Sequence, residues 1–187
     1  MVKQNKPETR ESQDAETTRL IAMLDDPSLD ERHKAVAALG ECGLPAVAPL
    51  IAKLASAADN DHRWYAAVSL GNVGVDAIKP ILAAMNENKD KDFRRYAAAA
   101  LGSIGEPAVG ILINAMRSED AVLRGYISQA LCRIGKPAVE PLTRRLDDAD
   151  AIIRSCSSLT LWQMGETGLP AMVKSVQDEE EMKGKRS

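Results

Sequence analysis

The sequence predicts an all-α fold, a solenoid of five helix-pair repeats with one closing helix, and three observations carry that expectation. First, one segment is written five times: ERHKAVAALGECG, HRWYAAVSLGNVG, FRRYAAAALGSIG, LRGYISQALCRIG and IRSCSSLTLWQMG. Their final glycines, Gly43, Gly74, Gly105, Gly135 and Gly165, lie 31, 31, 30 and 30 residues apart. A fixed period of this size marks a stacked array, because one helix pair cannot bury its apolar face alone. Second, the apolar residues inside each copy follow a 3, 4, 3 spacing, which is one face of an α-helix. Third, no segment alternates at period two, so no strand is expected.

The elements follow in chain order. Residues 1–14 are polar and aperiodic and read as a disordered tail. The first helix is expected over Ala15–Leu24. The second helix of each repeat carries an arginine eleven positions before its final glycine: Arg32, Arg63, Arg94, Arg124 and Arg154. Counted from that arginine, positions +3, +6, +7 and +10 are small or apolar, as in Ala97, Ala100, Leu101 and Ile104. The small residues admit a neighbouring helix and the large one at +7 fills the core. Four residues before the arginine stands a preferred N-cap: Ser28, then Asp59, Asp90, Asp120 and Asp150. Glycines at +8 (Gly40, Gly71, Gly102) and at +11 are expected to close the helix in the left-handed cap conformation.

The next first helix opens on PAV-like text, as at Pro45, Pro107 and Pro137, where a missing N–H costs nothing. A second proline (Pro49, Pro80, Pro141) ends its first turn and is expected to bend it. After a three-residue insertion, Glu166-Thr167-Gly168, a closing helix is expected near Leu169–Val176. Residues 15–177 thus form one domain, and 178–187 read as a charged tail. Trp162 stands where glycine is expected at +8 and is predicted to cap the last core.

Composition narrows the function. No apolar run approaches the roughly 20 residues of a membrane span, and the polar start MVKQNKPETRESQDAE has no apolar stretch of the kind a secretion signal needs. A net charge of −3 supplies no general attraction to nucleic acid. Cys42, Cys132 and Cys156 are scattered with no metal-like spacing, which fits a reduced, cytoplasmic protein. Cys156 has no histidine in its own or the adjacent repeat to act as a base, so no nucleophilic site is expected. His33 and His62 are followed by Lys34 and Arg63, not by glutamate, and read as solvated or turn-capping groups. Neither a catalytic residue, a metal site nor a cofactor is expected.

The run from Asp90-Lys91-Asp92-Phe93-Arg94 through Ala99-Ala100-Leu101-Gly102-Ser103-Ile104-Gly105-Glu106-Pro107 resembles HEAT repeats, in particular the short phycobilin-lyase-like subtype. The resemblance covers about residues 15–177. It implies a right-handed superhelix with first helices on the convex side and second helices on the concave side. It also implies a structural ladder between neighbouring turns, carried here by Asp59, Asp90, Asp120 and Asp150 with Arg63, Arg94, Arg124 and Arg154. Arg32 lacks such an aspartate in its own repeat.

On that architecture, positions +2, +5 and +9 look into the concave groove. Tyrosine recurs at +2 (Tyr65, Tyr96, Tyr126), with Asn72, Gln129 and Arg133 beside the stripe and Trp64 and Arg95 at +1 widening it. Tyrosine offers area with a polar tip, the composition of a binding surface. The alternative is a consensus tyrosine packed on its neighbours. The resulting expectation is a monomeric, non-catalytic scaffold or adaptor that grips a protein partner in this groove. A subunit of a chromophore or cofactor lyase is a second reading by analogy. Nucleic-acid binding is a third, opposed by the thin set of cations Lys34 and Arg133 against Glu41.

Overall fold

The second helix of each repeat in this chain is started by a single side chain. Ser28, Asp59, Asp90, Asp120 and Asp150 sit in extended backbone, and each accepts a hydrogen bond from a backbone N–H in the first turn of the helix it precedes. The computed structural model describes residues 10–184 and is built from these starts.

Among the described residues there are eleven α-helices and no strand: α1 (Arg10–Met23), α2 (Leu29–Cys42), α3 (Leu44–Ser56), α4 (Asn60–Val73), α5 (Val75–Glu87), α6 (Lys91–Ile104), α7 (Val109–Ala115), α8 (Ala121–Ile134), α9 (Lys136–Thr143), α10 (Ala151–Gln163) and α11 (Leu169–Gly184). Short 3₁₀ turns, Glu106–Ala108 and Gly165–Thr167, precede α7 and α11. The even-numbered helices pack side by side in one layer, α2 on α4, α4 on α6, α6 on α8 and α8 on α10. The odd-numbered helices form the other layer. This is an all-α solenoid of five helix pairs with α11 as the closing helix.

The core runs between the layers. Each +7 leucine (Leu39, Leu70, Leu101, Leu131, Leu161) is fully buried, as is each +3 residue (Ala35, Ala66, Ala97, Ile127, Ser157). A buried leucine contributes about 2 kcal/mol of transfer free energy, so the repeated leucine is a main source of stability in every unit. The +10 residues (Cys42, Val73, Ile104, Ile134, Met164), at the helix ends, are only half-buried but still pack against the core.

The corner between helices is tighter than expected. Gly43 has φ 66° and ψ −138°, and it ends α2 and starts α3 at once. Gly74, Gly105 and Gly135 repeat the geometry. This is not the left-handed cap anticipated from sequence. It is an extended positive-φ conformation open essentially to glycine alone, and it lets one helix hand over to the next through a single residue.

The +8 glycines serve a different purpose, and the structure corrects the expectation that they cap. A Cβ built at Gly40 would lie 2.7 Å from the Asn72 Cβ, and one at Gly71 would lie 3.0 Å from the Ser103 Cβ. At Gly102 it would lie 2.8 Å from the Arg133 Cβ. In each case the +9 residue of the following repeat leans over the bare +8 backbone. No even-numbered helix follows α10, so Trp162 at its +8 position is tolerated. It stands 63% exposed and does not cap the last core.

Two opposing terms decide what alanine does at such glycines. Helix propensity favours alanine by about 1 kcal/mol, whereas overpacking costs about 1–3 kcal/mol. Gly125, exposed in α8, has nothing within 4 Å of its built Cβ. Gly125→Ala is therefore expected to stabilise by roughly 0.5–1 kcal/mol and Gly40→Ala to destabilise by about 1 kcal/mol. Urea denaturation followed by circular dichroism reads both, and shifts of the same sign would contradict the packing account.

The ends differ from the expected boundaries. α1 starts at Arg10, inside the segment read as the 1–14 tail, whose first nine residues lie outside the described residues. α11 continues to Gly184, past the boundary at 177, through a Glu-, Met- and Lys-containing stretch of good helix formers. Residues 185–187 of the expected tail are outside the described residues. Among the described residues no single helix is long and apolar enough to cross a membrane. α6 and the Glu106–Ala115 segment reach that length and composition only together, and they meet at a bend of 114°.

Candidate functional site

The exposed face of the even-numbered layer holds a cavity of about 290 Å³ over α4, α6 and α8. Trp64, Ala67 and Val68 come from α4, Arg95, Tyr96, Ala99 and Ser103 from α6, and Gln129 and Arg133 from α8. Small residues on α6 make the floor, so the larger side chains of the flanking helices stand around a depression. Five of the eight residues expected in the groove line this cavity: Trp64, Arg95, Tyr96, Gln129 and Arg133.

The tyrosine stripe is not uniform. Tyr65 is buried at 3% exposure. Its neighbours cover it: the Arg32 guanidinium lies 4.8 Å over its ring, and Trp64 packs edge-on with ring centres 4.9 Å apart. Tyr65 therefore supports the indole rather than lining the groove, which corrects its expected placement. Tyr96 is half-buried, with the Arg95 guanidinium 5.0 Å over its ring. Tyr126 donates a hydrogen bond to the Lys91 carbonyl at 3.1 Å and so ties α8 to the start of α6, outside the cavity. Asn72 is exposed but sits over Gly40, between the first two repeats. Trp64 is 47% exposed.

The two arginines are held differently. Arg95 reaches Asp92 at 3.0 Å and Asn60 at 3.3 Å, which fixes its guanidinium beside Tyr96. Arg133 lays its aliphatic stem across Gly102 and makes no ion pair among the described residues. Val68, Ala99 and Ser103 also line the cavity. They occupy groove positions +5 and +9 in the repeat, but their residue types carry no signal of binding.

The expected aspartate–arginine ladder is reorganised. Of the four aspartates, Asp120 alone receives an arginine of the set, from Arg94 Nη2 at 2.7 Å. Asp150 is reached instead by Arg117, at 3.2 Å, while Asp59 holds His62 at 2.7 Å and Asp90 caps α6. Arg124 and Arg154 donate to carbonyls of their own preceding turns, Ser118 and Asp148. Arg63 makes no ion pair among the described residues, and its Nε is buried without a partner. Arg32 pairs with Asp61 of the next repeat at 2.6 Å. Capping takes one carboxylate oxygen, Oδ1, and leaves the other for a cation, as Asp120 and Asp150 show, while Arg124 and Arg154 turn to carbonyls of their own preceding turns. The hydrogen bond from Arg94 first, then the Leu123 N–H and Lys89, hold the Asp120 carboxyl well below the usual carboxylate range.

The cysteines are free and half-buried. Burial pushes the Cys132 thiol up, and it does the same to Cys156 against the opposing pull of Arg124. Both stay in the less nucleophilic thiol form. Among the described residues, no group of three or more His, Cys, Asp and Glu side chains is placed to hold a metal ion. A second, larger cavity of about 560 Å³ lies between α1 and α2, beside Glu16 and Glu41, and contains none of the expected site residues.

The family model for HEAT repeats matches residues 17–102 and again 78–160, together well over half of the chain. No curated protein matches the chain in sequence. Among solved structures, the chain is similar to an engineered protein of known crystal structure, with 18% identity, 88% of this chain and 86% of that chain covered, and a TM-score of 0.33. It is also similar to a de novo designed 16-helix transmembrane nanopore, with 12% identity, 94% of this chain and 60% of that chain covered, and a TM-score of 0.24.

Proposed function

Because this chain belongs to the HEAT-repeat family, whose members are generally protein-interaction scaffolds, we propose that it is a non-catalytic scaffold that grips a segment of a protein partner in the groove over α4, α6 and α8. The observation that carries this reading is Trp64. A large indole stands 47% exposed at the rim of a cavity on a rigid helical bed, beside Tyr96 and two arginines. Trp, Tyr and Arg are the residue types that dominate binding energy at interfaces, and side chains already packed from below lose little entropy on binding.

The three free, half-buried thiols support work in a reducing compartment, which we take to be the cytoplasm; we take the working unit to be a monomer. The lyase-subunit reading, and the phycobilin-lyase-like subtype behind it, draw on the residue pattern from Asp90 to Pro107 alone, and no groove residue favours them over docking.

The test is affinity capture with the full chain, followed by binding measurements on the recovered partner. Trp64→Ala and Tyr96→Ala are each expected to cost about 2 kcal/mol, roughly 30-fold in Kd, with an unchanged helical spectrum. A partner that binds the double variant as tightly as the wild type would exclude this groove as the working face.

A further inference from the structure

We infer that the segment received in this groove is acidic: a peptide stretch of a protein partner that places a carboxylate between Arg95 and Arg133 and an adjacent apolar side chain against Trp64 and Val68. The inference rests on the groove being the docking face and adds the chemistry of what docks there.

Charge is the first argument. The chain carries a net −3, yet the only charged residues lining the cavity are Arg95 and Arg133. The positive potential is therefore local to this depression and is not a property of the whole surface. The second argument is the state of the two guanidiniums. Arg133 is exposed, makes no ion pair among the described residues, and is held in place by its stem lying over the bare backbone of Gly102. Its donors are positioned but unspent. Arg95 is oriented from behind by Asp92, Asn60 and the Tyr96 ring, so one face is fixed while the other borders the cavity. A planar guanidinium matches a carboxylate with two parallel hydrogen bonds, the strongest such contact a side chain offers.

The third argument is the apolar half of the wall. Trp64, Ala67, Val68 and Ala99 give area next to the cations, so a purely acidic run would leave the indole uncovered. A carboxylate beside an apolar residue satisfies both halves. Nucleic acid fits less well. Tracking a phosphate backbone takes a row of cations, and this cavity offers two, with the acids Asp61 and Asp92 on the helices that line it.

The test uses the full chain against a displayed library of random peptides. Enriched peptides are then synthesised, labelled and titrated with the wild type, Trp64→Ala, Arg133→Glu and Arg133→Lys, with an oligothymidylate as competitor. Enriched sequences are expected to carry paired acids flanking an apolar residue. Arg133→Glu is expected to weaken them by about 30- to 100-fold, Arg133→Lys by less, and Trp64→Ala by about 30-fold. Neutral or basic peptides that depend on Trp64 and ignore Arg133→Glu would overturn the acidic preference while leaving the groove as the docking face. Peptides indifferent to both positions, or no enrichment at all, would remove the groove and this inference together. An oligothymidylate that displaces the peptides and itself depends on Arg133 would reassign the site to nucleic acid.

Discussion

Arg94→Ala is expected to destabilise the array by about 3 kcal/mol, a loss on the scale of truncating a buried apolar side chain. Arg94 is 2% exposed. Its Nε donates to the carbonyls of Met85 and Asn88, each at 2.9 Å, and its Nη2 donates to Asp120 at 2.7 Å. One side chain thus joins the end of α5, the turn after it and the cap of α8. The Met85 carbonyl lies in the last turn of a helix, where carbonyls have no partner within the helix itself. Alanine would take the guanidinium donor from both carbonyls, leave Asp120 with only Lys89 and the helix N–H groups, and open a void where the guanidinium lay.

Arg63 makes a sharp control. It occupies the same repeat position, but its Nε has no partner, so Arg63→Ala is expected to cost less than half as much. Urea denaturation of both variants decides the matter, and equal losses would contradict the assignment. The pH dependence has a defined sign. Asp120 has a depressed folded-state pKa, so its contribution is complete above the ordinary carboxylate value of about 4 and is lost as pH falls below it. The gap between wild type and Arg94→Ala is therefore expected to narrow below about pH 4.

Gly168→Ala is expected to cost about 2–3 kcal/mol by forcing α11 off α10. A Cβ built there overlaps the Leu161 carbonyl oxygen and lies 2.8 Å from its carbon and 3.0 Å from its Cα. All three are backbone atoms in the last part of α10, so no side-chain rotation relieves the overlap. Gly168 also accepts the first hydrogen bonds of α11, from the Ala171 and Met172 N–H groups. The damage should therefore appear as loss of hydrogen-exchange protection in α11 and the end of α10, with α2 to α8 unchanged. This locality follows from the array, in which each repeat touches only its neighbours. Full protection of α11 in the variant would show that the contact is relieved elsewhere at little cost. Thr167→Ala, at an exposed position one residue earlier, is the neutral comparison.

The legibility of this chain divides along a physical line. The helix starts at Asp59, Asp90, Asp120 and Asp150 were readable because capping is a contact between residues two or three apart. The buried Leu70 and Leu101 were readable because helical periodicity is local. The candidate site was readable in part. Trp64, Arg95, Tyr96, Gln129 and Arg133 share the cavity, but Tyr65 belongs to the core, although it has the same repeat position as Tyr96. Within its own copy only the neighbouring Trp64, where Tyr96 has Arg95, sets it apart. Arg32 and Trp64 cover it, and Arg32 comes from the preceding repeat.

The sequence alone therefore determined the period, the two-helix unit and the positions of the corner glycines, though not their conformation, since those depend on contacts a few residues apart. The tertiary structure alone decided which +8 glycine is a passage for the next helix, which +2 tyrosine is covered, and which arginine finds a carboxylate. Those outcomes are set between residues about one period apart, such as Gly102 with Arg133 and Arg94 with Asp120. Each needs both partners at once, a bare backbone under a long stem or a guanidinium beside a carboxylate, and only packing brings them together.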